Sequence, residues 1–159
     1  METTLTPIAG IVATSTRPFR RALAGATTDE LRRRPFPGAN PMHWIAGHAT
    51  VVRSGMLRVL GRPYLIAWAP LFARGGTNDN EAQWPGIDAI VAEWDAIAPA
   101  LEQRLLEITP NELGGDADGA PSFDGTLLGV IQLAAFHDAY HIGQLGYLRR
   151  QADLPRLVG

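Results

Sequence analysis

The sequence predicts an all-α protein, a four-helix bundle with long irregular connections. Apolar residues recur at steps of three and four along four long segments, which is the spacing of one helix face. No segment shows the sustained alternation of apolar and polar residues that marks a half-buried strand. Runs rich in proline and glycine separate the long segments. Because 159 residues are enough for one hydrophobic core, we expect a single domain over residues 1–159.

The first helix is expected to begin at Thr6, a favourable N-cap that is followed by Pro7, and to run to about Ala24. Pro18 lies inside this segment and should bend the helix or end it early, because proline cannot donate the helical hydrogen bond. In segment 28–34, acidic residues precede basic ones, which favours one or two further helical turns.

The second long helix has the clearest boundaries. Segment 35–41 contains four prolines and glycines among its seven residues and predicts a loop. Asn40 is expected to cap the helix with Pro41 at its first position, and the helix should continue through residues 42–60 until Gly61 and Pro63 stop it. The connection that follows, residues 62–86, is expected to be ordered but irregular. Loops of that length often cover a functional site.

The third and fourth helices occupy the second half of the chain. The third is expected over residues 87–109, where apolar side chains recur at Ile90, Trp94, Ile97, Leu101 and Leu105. Segment 110–125 predicts another loop. The fourth helix should begin near Asp124 or Thr126 and reach about Ala152, ahead of Pro155.

Composition excludes several classes of function. The chain has no cysteine, so disulfides, thiolate metal sites and a cysteine nucleophile are excluded. A net charge of -2 gives no electrostatic footprint for nucleic acid. The first residues lack a positive segment ahead of an apolar run and do not predict a signal peptide, and no stretch of about 18 uncharged apolar residues predicts a membrane span. A cytoplasmic location is therefore expected.

The candidate functional residues are histidines near the C-terminus. His137 and His141 lie four positions apart, so they project from one face of the fourth helix, one turn apart. That face is the apolar stripe expected to point into the bundle, where unpaired histidines would be costly. Two imidazoles in this arrangement could share a metal ion. The alternative is a pair of histidines at the edge of the core, hydrogen-bonded to side chains or water.

The second helix offers a third histidine. His43 and His48 are five residues apart, about 140° around the helix, so only one of them is expected to face the core. His48 shares its stripe with Trp44 and is the buried candidate. His43 lies in the first turn and is expected at the rim or as a capping residue. Three neutral imidazoles bind a borderline divalent ion and leave a position open for water or substrate, as in catalytic zinc sites.

A metalloprotease motif is the alternative to this interpretation. The string His-Asp-Ala-Tyr-His places Asp138 where the His-Glu-x-x-His motif has its general base. Aspartate is shorter than glutamate, and no histidine follows His141. Asp138 also points about 100° away from His137, so we expect it to make a contact on the helix surface or to a neighbouring ligand.

These segments resemble a known family. Residues 41–61, PMHWIAGHATVVRSGMLRVLG, and residues 137–150, HDAYHIGQLGYLRR, are similar to the DinB/YfiT-like superfamily of metal-dependent four-helix-bundle proteins. The connecting residues 71–95 are also similar, and the resemblance covers about residues 5 to 152. Its most specific part is His-x-x-x-His-x-Gly-Gln together with a single histidine in the second helix.

The resemblance implies a bundle with a long crossover, often a homodimer, and a three-histidine site for nickel or zinc. The implied metal ligands fall on His48, His137 and His141, while Gln144 matches a family glutamine that is not a ligand. Characterised relatives include thiol-dependent S-transferases and a thiol-dependent isomerase. A low-molecular-weight thiol is therefore an implied cofactor, although no residue of this sequence identifies one.

Two hypotheses follow. The first is a metal-dependent enzyme that carries out S-transfer, isomerisation or hydrolysis of a small molecule. The second is a non-catalytic helical dimer that binds a metal or a small molecule. Aromatic residues in the long connection could line the site or fill the open end of the bundle, and five arginines could bind a cofactor carboxylate or merely solubilise the surface. The aromatic residues are Trp68, Phe72 and Trp84, and the arginines are Arg53, Arg58, Arg74, Arg149 and Arg150.

Overall fold

The computed structural model describes residues 5–73 and 80–157. Within these ranges the chain forms four long helices and two short ones, and it forms no strand beyond one isolated bridge between Asp116 and Thr126. Two 3₁₀ turns interrupt the connection between the second and third long helices. The helices are α1 (Thr6–Leu23), α2 (Thr28–Arg32), α3 (Met42–Val59), α4 (Ile87–Glu107), α5 (Pro110–Leu113) and α6 (Leu127–Gln151), and the 3₁₀ turns are Ala69–Phe72 and Glu81–Gln83. The predicted all-α fold is confirmed.

Two predicted helix starts are displaced by one residue. Thr6 is the first residue of α1 and Leu5 is its N-cap. Pro41 is the N-cap of α3, so it does not occupy the first helical position, and Asn40 precedes the cap. The start of α6 was predicted correctly, since the Thr126 hydroxyl accepts a hydrogen bond from the Gly129 backbone N–H.

Pro18 does not end α1 early, because the helix continues to Leu23. The residues after the proline are buried: Phe19 and Ala22 are completely inaccessible to solvent. Their packing outweighs the one backbone hydrogen bond that the proline removes. A similar balance holds at Pro99 inside α4.

The predicted loop 110–125 contains the short helix α5. Thr109 and Glu112 form a capping box, in which the Glu112 carboxylate accepts from the Thr109 backbone N–H at 2.8 Å and the Thr109 hydroxyl accepts from the Glu112 backbone N–H at 3.4 Å. This pairing takes Thr109 out of the predicted third helix, so α4 ends at Glu107. The Thr-Pro-Asn-Glu sequence carried the signal for this helix start.

Side-chain contacts between helix ends define the bundle. The Arg149 guanidinium at the end of α6 donates to the carbonyls of Ala22 and Ala24 at the end of α1, so these helices run parallel. Arg104 Nε near the end of α4 donates to the Leu60 carbonyl at the end of α3, so that pair is also parallel. The connection between α3 and α4 must therefore travel back along the bundle, which is the crossover that the family resemblance implied.

The crossover packs its aromatic side chains into the bundle. Phe72 is fully buried, and a Cβ added at Gly47 of α3 would lie 2.5 Å from its ring, so this close approach requires glycine. Trp84 is also buried, and Trp68 packs at the edge of the same aromatic cluster. Phe72 and Trp84 are thus buried in the core, as expected of residues that fill the bundle. Residues 74–79, including Arg74, lie outside the described residues.

No helix among the described residues is both long and apolar enough to cross a membrane.

Candidate metal centre

The three predicted ligands meet in the interior between α3 and α6. His137 Nε2 lies 3.2 Å from His48 Nε2 and 3.0 Å from His141 Nε2. One nitrogen from each ring can be chosen so that all three lie within 4.8 Å of one another. His48 and His141 are buried and His137 is half-buried. The structure therefore brings together the residues that the sequence selected.

The second ring nitrogens of two histidines fix their orientation. His48 Nδ1 lies 2.8 Å from the Phe72 carbonyl oxygen, which can only accept, so Nδ1 carries the proton. Trp44 stacks on the same ring with centroids 4.8 Å apart and planes 10° from parallel. Since Nδ1 is the donor, Nε2 of neutral His48 presents its lone pair to the other two histidines.

His141 is oriented by a side chain on its own helix. Its Nδ1 lies 2.7 Å from Gln144 Oε1, and the Gln144 amide group donates in turn to the Tyr140 hydroxyl at 3.1 Å. This chain places the proton of His141 on Nδ1 and leaves its Nε2 lone pair free for an ion. Hydrogen bonds of this kind to the distal nitrogen are the usual support of histidine ligands in metal sites.

His137 has the least complete set of partners. Its Nδ1 is buried without a hydrogen-bond partner among the described residues. Its Nε2 faces the Nε2 lone pairs of both His48 and His141, and a single N–H could point well at only one of them. A cation shared by the three nitrogens would satisfy all of these lone pairs.

Two of the three spacings and the donor type fit a divalent transition metal. Two imidazole nitrogens, each bonded at about 2.0–2.1 Å with an angle of roughly 90–110° between the bonds, lie about 2.9–3.4 Å apart. The observed separations of 3.0 and 3.2 Å fall within that interval. Imidazole donors suit zinc, nickel and copper, whereas magnesium and calcium prefer oxygen.

Burial keeps the two imidazoles of α6 neutral. It lowers the pKa of His137 to about 3, with further lowering from the neighbouring His141 and His48. It lowers the pKa of His141 to about 4, although the hydrogen bond that His141 Nδ1 donates to Gln144 acts in the opposite direction. Neutral imidazole is the form that binds metal, so both rings are ready to ligate near pH 7.

Acid titration of the metal-free protein should reveal these shifts. The pKa of each ring is lower in the folded protein than in the unfolded chain, so the unfolded chain binds more protons in acid. The contribution of these two rings to the free energy of unfolding should be fully present above the unfolded pKa of about 6.5. It should decline as the pH falls toward about 4 and below. In NMR spectra, the ring resonances of His137 and His141 should stay constant from about pH 8 to pH 5. A titration midpoint near pH 6.5 for either ring would contradict the lowered pKa values.

His43 was expected at the rim of the bundle, but it is buried. It is 2% exposed, its Nε2 lies 2.9 Å from the Pro85 carbonyl oxygen, and its ring packs against Trp84. The helical phase predicted that only one of His43 and His48 would be buried. That prediction was wrong because the crossover covers the face of α3 that would otherwise be open, and every residue from Met42 to Thr50 is buried. His43 points to Pro85 and is not part of the three-histidine group.

Asp138 does not lie on the helix surface either. It is 3% exposed, and its Oδ2 accepts a hydrogen bond from Arg53 Nε at 2.7 Å, so it does not face the three histidines. Burial raises the pKa of Asp138, whereas the Arg53 guanidinium acts to lower it. Arg149 is also buried and holds backbone carbonyls. Only Arg58 and Arg150, among the described arginines singled out above, are exposed as the solubilising interpretation expects.

A separate groove of about 990 Å³ runs between α1 and α6. Gly10 and Ile11 of α1 and Gly143 and Gly146 of α6 help to line it, and none of the three histidines does. Tyr140, which is 53% exposed, has its ring edge-on to His141.

Sequence reasoning did not find every contributor to the site. Gln144 had a usable signal, because it lies three residues after His141 and so can reach it on the same helix face. The Phe72 carbonyl carried no signal, since a backbone group in an irregular connection has no identifying side chain. The partnership of Arg53 with Asp138 joins residues 85 positions apart and could not be derived from either helix alone.

The comparison with known proteins agrees with this fold and site. No curated protein matches the chain. The family model of the DinB superfamily matches residues 13–145, more than four fifths of the sequence, and this range includes all three histidines. Together with the four long helices, the match shows that the chain belongs to the DinB superfamily.

Proposed function

We propose that this protein is a metal-dependent enzyme that holds a divalent ion, zinc or nickel, through His48, His137 and His141 and acts on a small-molecule substrate. The observation that carries the proposal is the convergence of three Nε2 atoms, two of them on rings whose Nδ1 is hydrogen-bonded. That arrangement is the one expected of side chains that are held in position to bind one metal ion. Three histidines hydrogen-bonded only to water or to surface groups would not need to converge.

The ligand count supports catalysis over a purely structural ion. Among the described residues, these histidines are the one group of three or more histidine, aspartate and glutamate side chains placed to share an ion. Asp138, the nearest carboxylate in sequence, is engaged by Arg53. Structural zinc sites are usually closed by four protein ligands, whereas catalytic sites use three and leave a position open.

The reaction class that we propose is thiol-dependent S-transfer or isomerisation, with hydrolysis as the variant in which water replaces the thiol. A divalent ion in this site would lower the pKa of a thiol or a water molecule placed against it. The chain itself supplies orientation: Phe72 and Gln144 hold the rings of His48 and His141. The Tyr140 hydroxyl accepts from Gln144, so its own proton is free to be donated to a substrate on the exposed side of His141.

A cobalt-substituted sample tests the proposal directly. We expect the wild-type protein to bind about one cobalt ion per chain, and addition of a low-molecular-weight thiol should produce a thiolate-to-cobalt charge-transfer band. Turnover should then be screened with several thiols and electrophilic acceptors, with the His48→Ala/His137→Ala/His141→Ala variant as the control. The protein could bind one ion per chain and yet show neither a thiol band nor turnover of any acceptor or hydrolysable ester. That result would favour the non-catalytic binding protein. Absence of bound metal would contradict the ligand assignment itself.

The homodimer expected from the family resemblance stays a prediction. Exposed aromatic side chains of α6 form a surface that such an association could cover, and their burial would stabilise the dimer because it removes apolar area from water. They are Phe136 and Tyr147, which are 60% and 66% exposed.

A further inference from the structure

One guanidinium group joins all four long helices next to the histidine site. Arg53 extends from α3 and is 1% exposed. Its Nε donates to Asp138 of α6 at 2.7 Å, and its Nη atoms donate to the Thr16 hydroxyl and the Val12 carbonyl of α1 at 3.3 and 3.1 Å. Its Cζ lies 3.5 Å from the ring centroid of Trp94 in α4. The other ion pairs among the described residues are all partly exposed to solvent.

Net stabilisation alone does not account for such a pair. Removing two charges from water costs about as much as their attraction returns, and apolar residues of similar volume often stabilise a protein equally well or better. What a buried pair can add is specificity, since it is satisfied in only one arrangement of the helices around it.

The apolar pattern of α6 leaves its rotation weakly determined. Large apolar side chains lie on both sides of this helix: Ile131 and Leu145 are fully buried, whereas Phe136 and Tyr147 are more than half exposed. Burial of apolar area therefore discriminates poorly between rotations of α6 about its axis. A polar contact with one permitted geometry is needed to select the rotation, and the Asp138 carboxylate makes that contact.

The histidine site is sensitive to this rotation. Asp138 follows His137 directly, and the two side chains leave the helix about 100° apart, so fixing one fixes the other. A ring nitrogen roughly 6 Å from the helix axis moves by about 1 Å when the helix rotates by about 10°. Metal–nitrogen distances tolerate deviations of only about 0.2 Å. On α3, Arg53 lies five residues beyond His48, so the same ion pair also sets the height of His48 against α6.

We propose that Arg53 and Asp138 are positioning residues, whose buried ion pair holds α3 and α6 at the rotation and register where the Nε2 atoms of His48, His137 and His141 meet. The inference rests on the proposed function for its metal readout. Neither residue touches the ion or the substrate in this scheme. Their effect reaches the site through the backbones of the two helices that carry the ligands.

The test replaces the pair by apolar residues of similar volume, Arg53→Met with Asp138→Leu. This double variant carries no unpaired buried charge and is expected to fold, as judged by circular dichroism and a cooperative thermal transition. Its affinity for cobalt should fall tenfold or more, and its cobalt absorption spectrum should broaden as the ligand geometry loosens. The matched control is the exposed pair between Arg62 and Glu107, where Arg62→Met with Glu107→Leu should leave affinity and spectrum unchanged.

A second readout does not depend on metal. In the metal-free wild-type protein, the rings of His48 and His137 have centroids 5.1 Å apart and should show nuclear Overhauser effects between their carbon-bound protons. These effects should weaken or vanish in the double variant and persist in the control. A folded double variant that keeps both the effects and the wild-type cobalt affinity would overturn the inference. If the double variant does not fold, Arg53→Met alone takes its place, because it removes the donor to Asp138, and unchanged ring contacts and affinity there would overturn the inference equally. Wild-type protein without metal affinity would contradict the proposed function alone, because the ring contacts still decide the positioning role.

Discussion

The substitution His141→Ala should reduce metal affinity by on the order of 100-fold or more and leave purified protein with little bound ion. His141 contributes one of three converging nitrogens, and Gln144 holds its ring in the ligating orientation. Removing the oriented ligand leaves two histidines, too few to retain an ion against water and buffer. Loss of a mere support of a ligand costs 10–100-fold, so loss of the ligand itself should cost at least as much. Isothermal titration with zinc and elemental analysis measure the change.

The matched control for this prediction is His43→Gln. His43 is as deeply buried as the proposed ligands, but its Nε2 contacts the Pro85 carbonyl. Glutamine can keep a donor toward that carbonyl, so metal content should equal that of the wild type. Equal loss of metal in both variants would mean that the effect reflects general disturbance of the bundle and not removal of a ligand. Full metal occupancy in His141→Ala would refute its assignment.

The substitution Phe72→Ala should lower the free energy of unfolding by about 3–5 kcal/mol, the range for truncation of a fully buried phenylalanine. The ring of Phe72 is completely buried, lies against Gly47 and contacts both Trp68 and Trp84. Truncation leaves a cavity between α3 and the crossover. Because small domains are typically stable by only about 5–15 kcal/mol, this loss is a large fraction of the total. Chemical denaturation of the metal-free protein measures it.

The same substitution should also weaken metal binding, since the Phe72 carbonyl orients His48 and depends on the ring for its anchorage. Leu65→Ala is the control on the same connection, because Leu65 is 89% exposed and its truncation should change stability by less than about 0.5 kcal/mol. A loss below about 1 kcal/mol for Phe72→Ala would show that the crossover is not packed on α3 as described.

The fold was largely predictable because its signals are local. The apolar stripe through Trp94 and Leu101 marked α4, and Thr126 marked the start of α6. The convergence of His48, His137 and His141 was predictable for a similar reason: helical spacing placed two on one face, and few other histidines were available. The helices and the pairing of His137 with His141 needed only the periodicity of a single helix, whereas the choice of His48 as the third ligand also rested on the family resemblance.

The remaining features depend on contacts between distant segments. His43 is buried because Trp84 and Pro85 cover it, and nothing in the sequence of α3 reveals that cover. Asp138 is buried because Arg53 lies opposite it, and each residue alone has the composition of a surface position. The capping box at Thr109 can be read from Thr-Pro-Asn-Glu, but the prediction of a loop over residues 110–125 did not include it.

The separation of the ligands along the chain has a consequence for biosynthesis. His48 and His137 are 89 residues apart, and two of the three ligands belong to the last long helix to leave the ribosome. Until α6 is complete, Arg53 lacks its carboxylate and His48 lacks its neighbouring imidazoles, so the nascent helices hold polar groups that no partner yet satisfies. We therefore expect the first three long helices to remain loosely packed during translation and to close in one late step. An ion that binds only the closed form would then stabilise the assembled bundle and couple α3 and α6 into one cooperative unit.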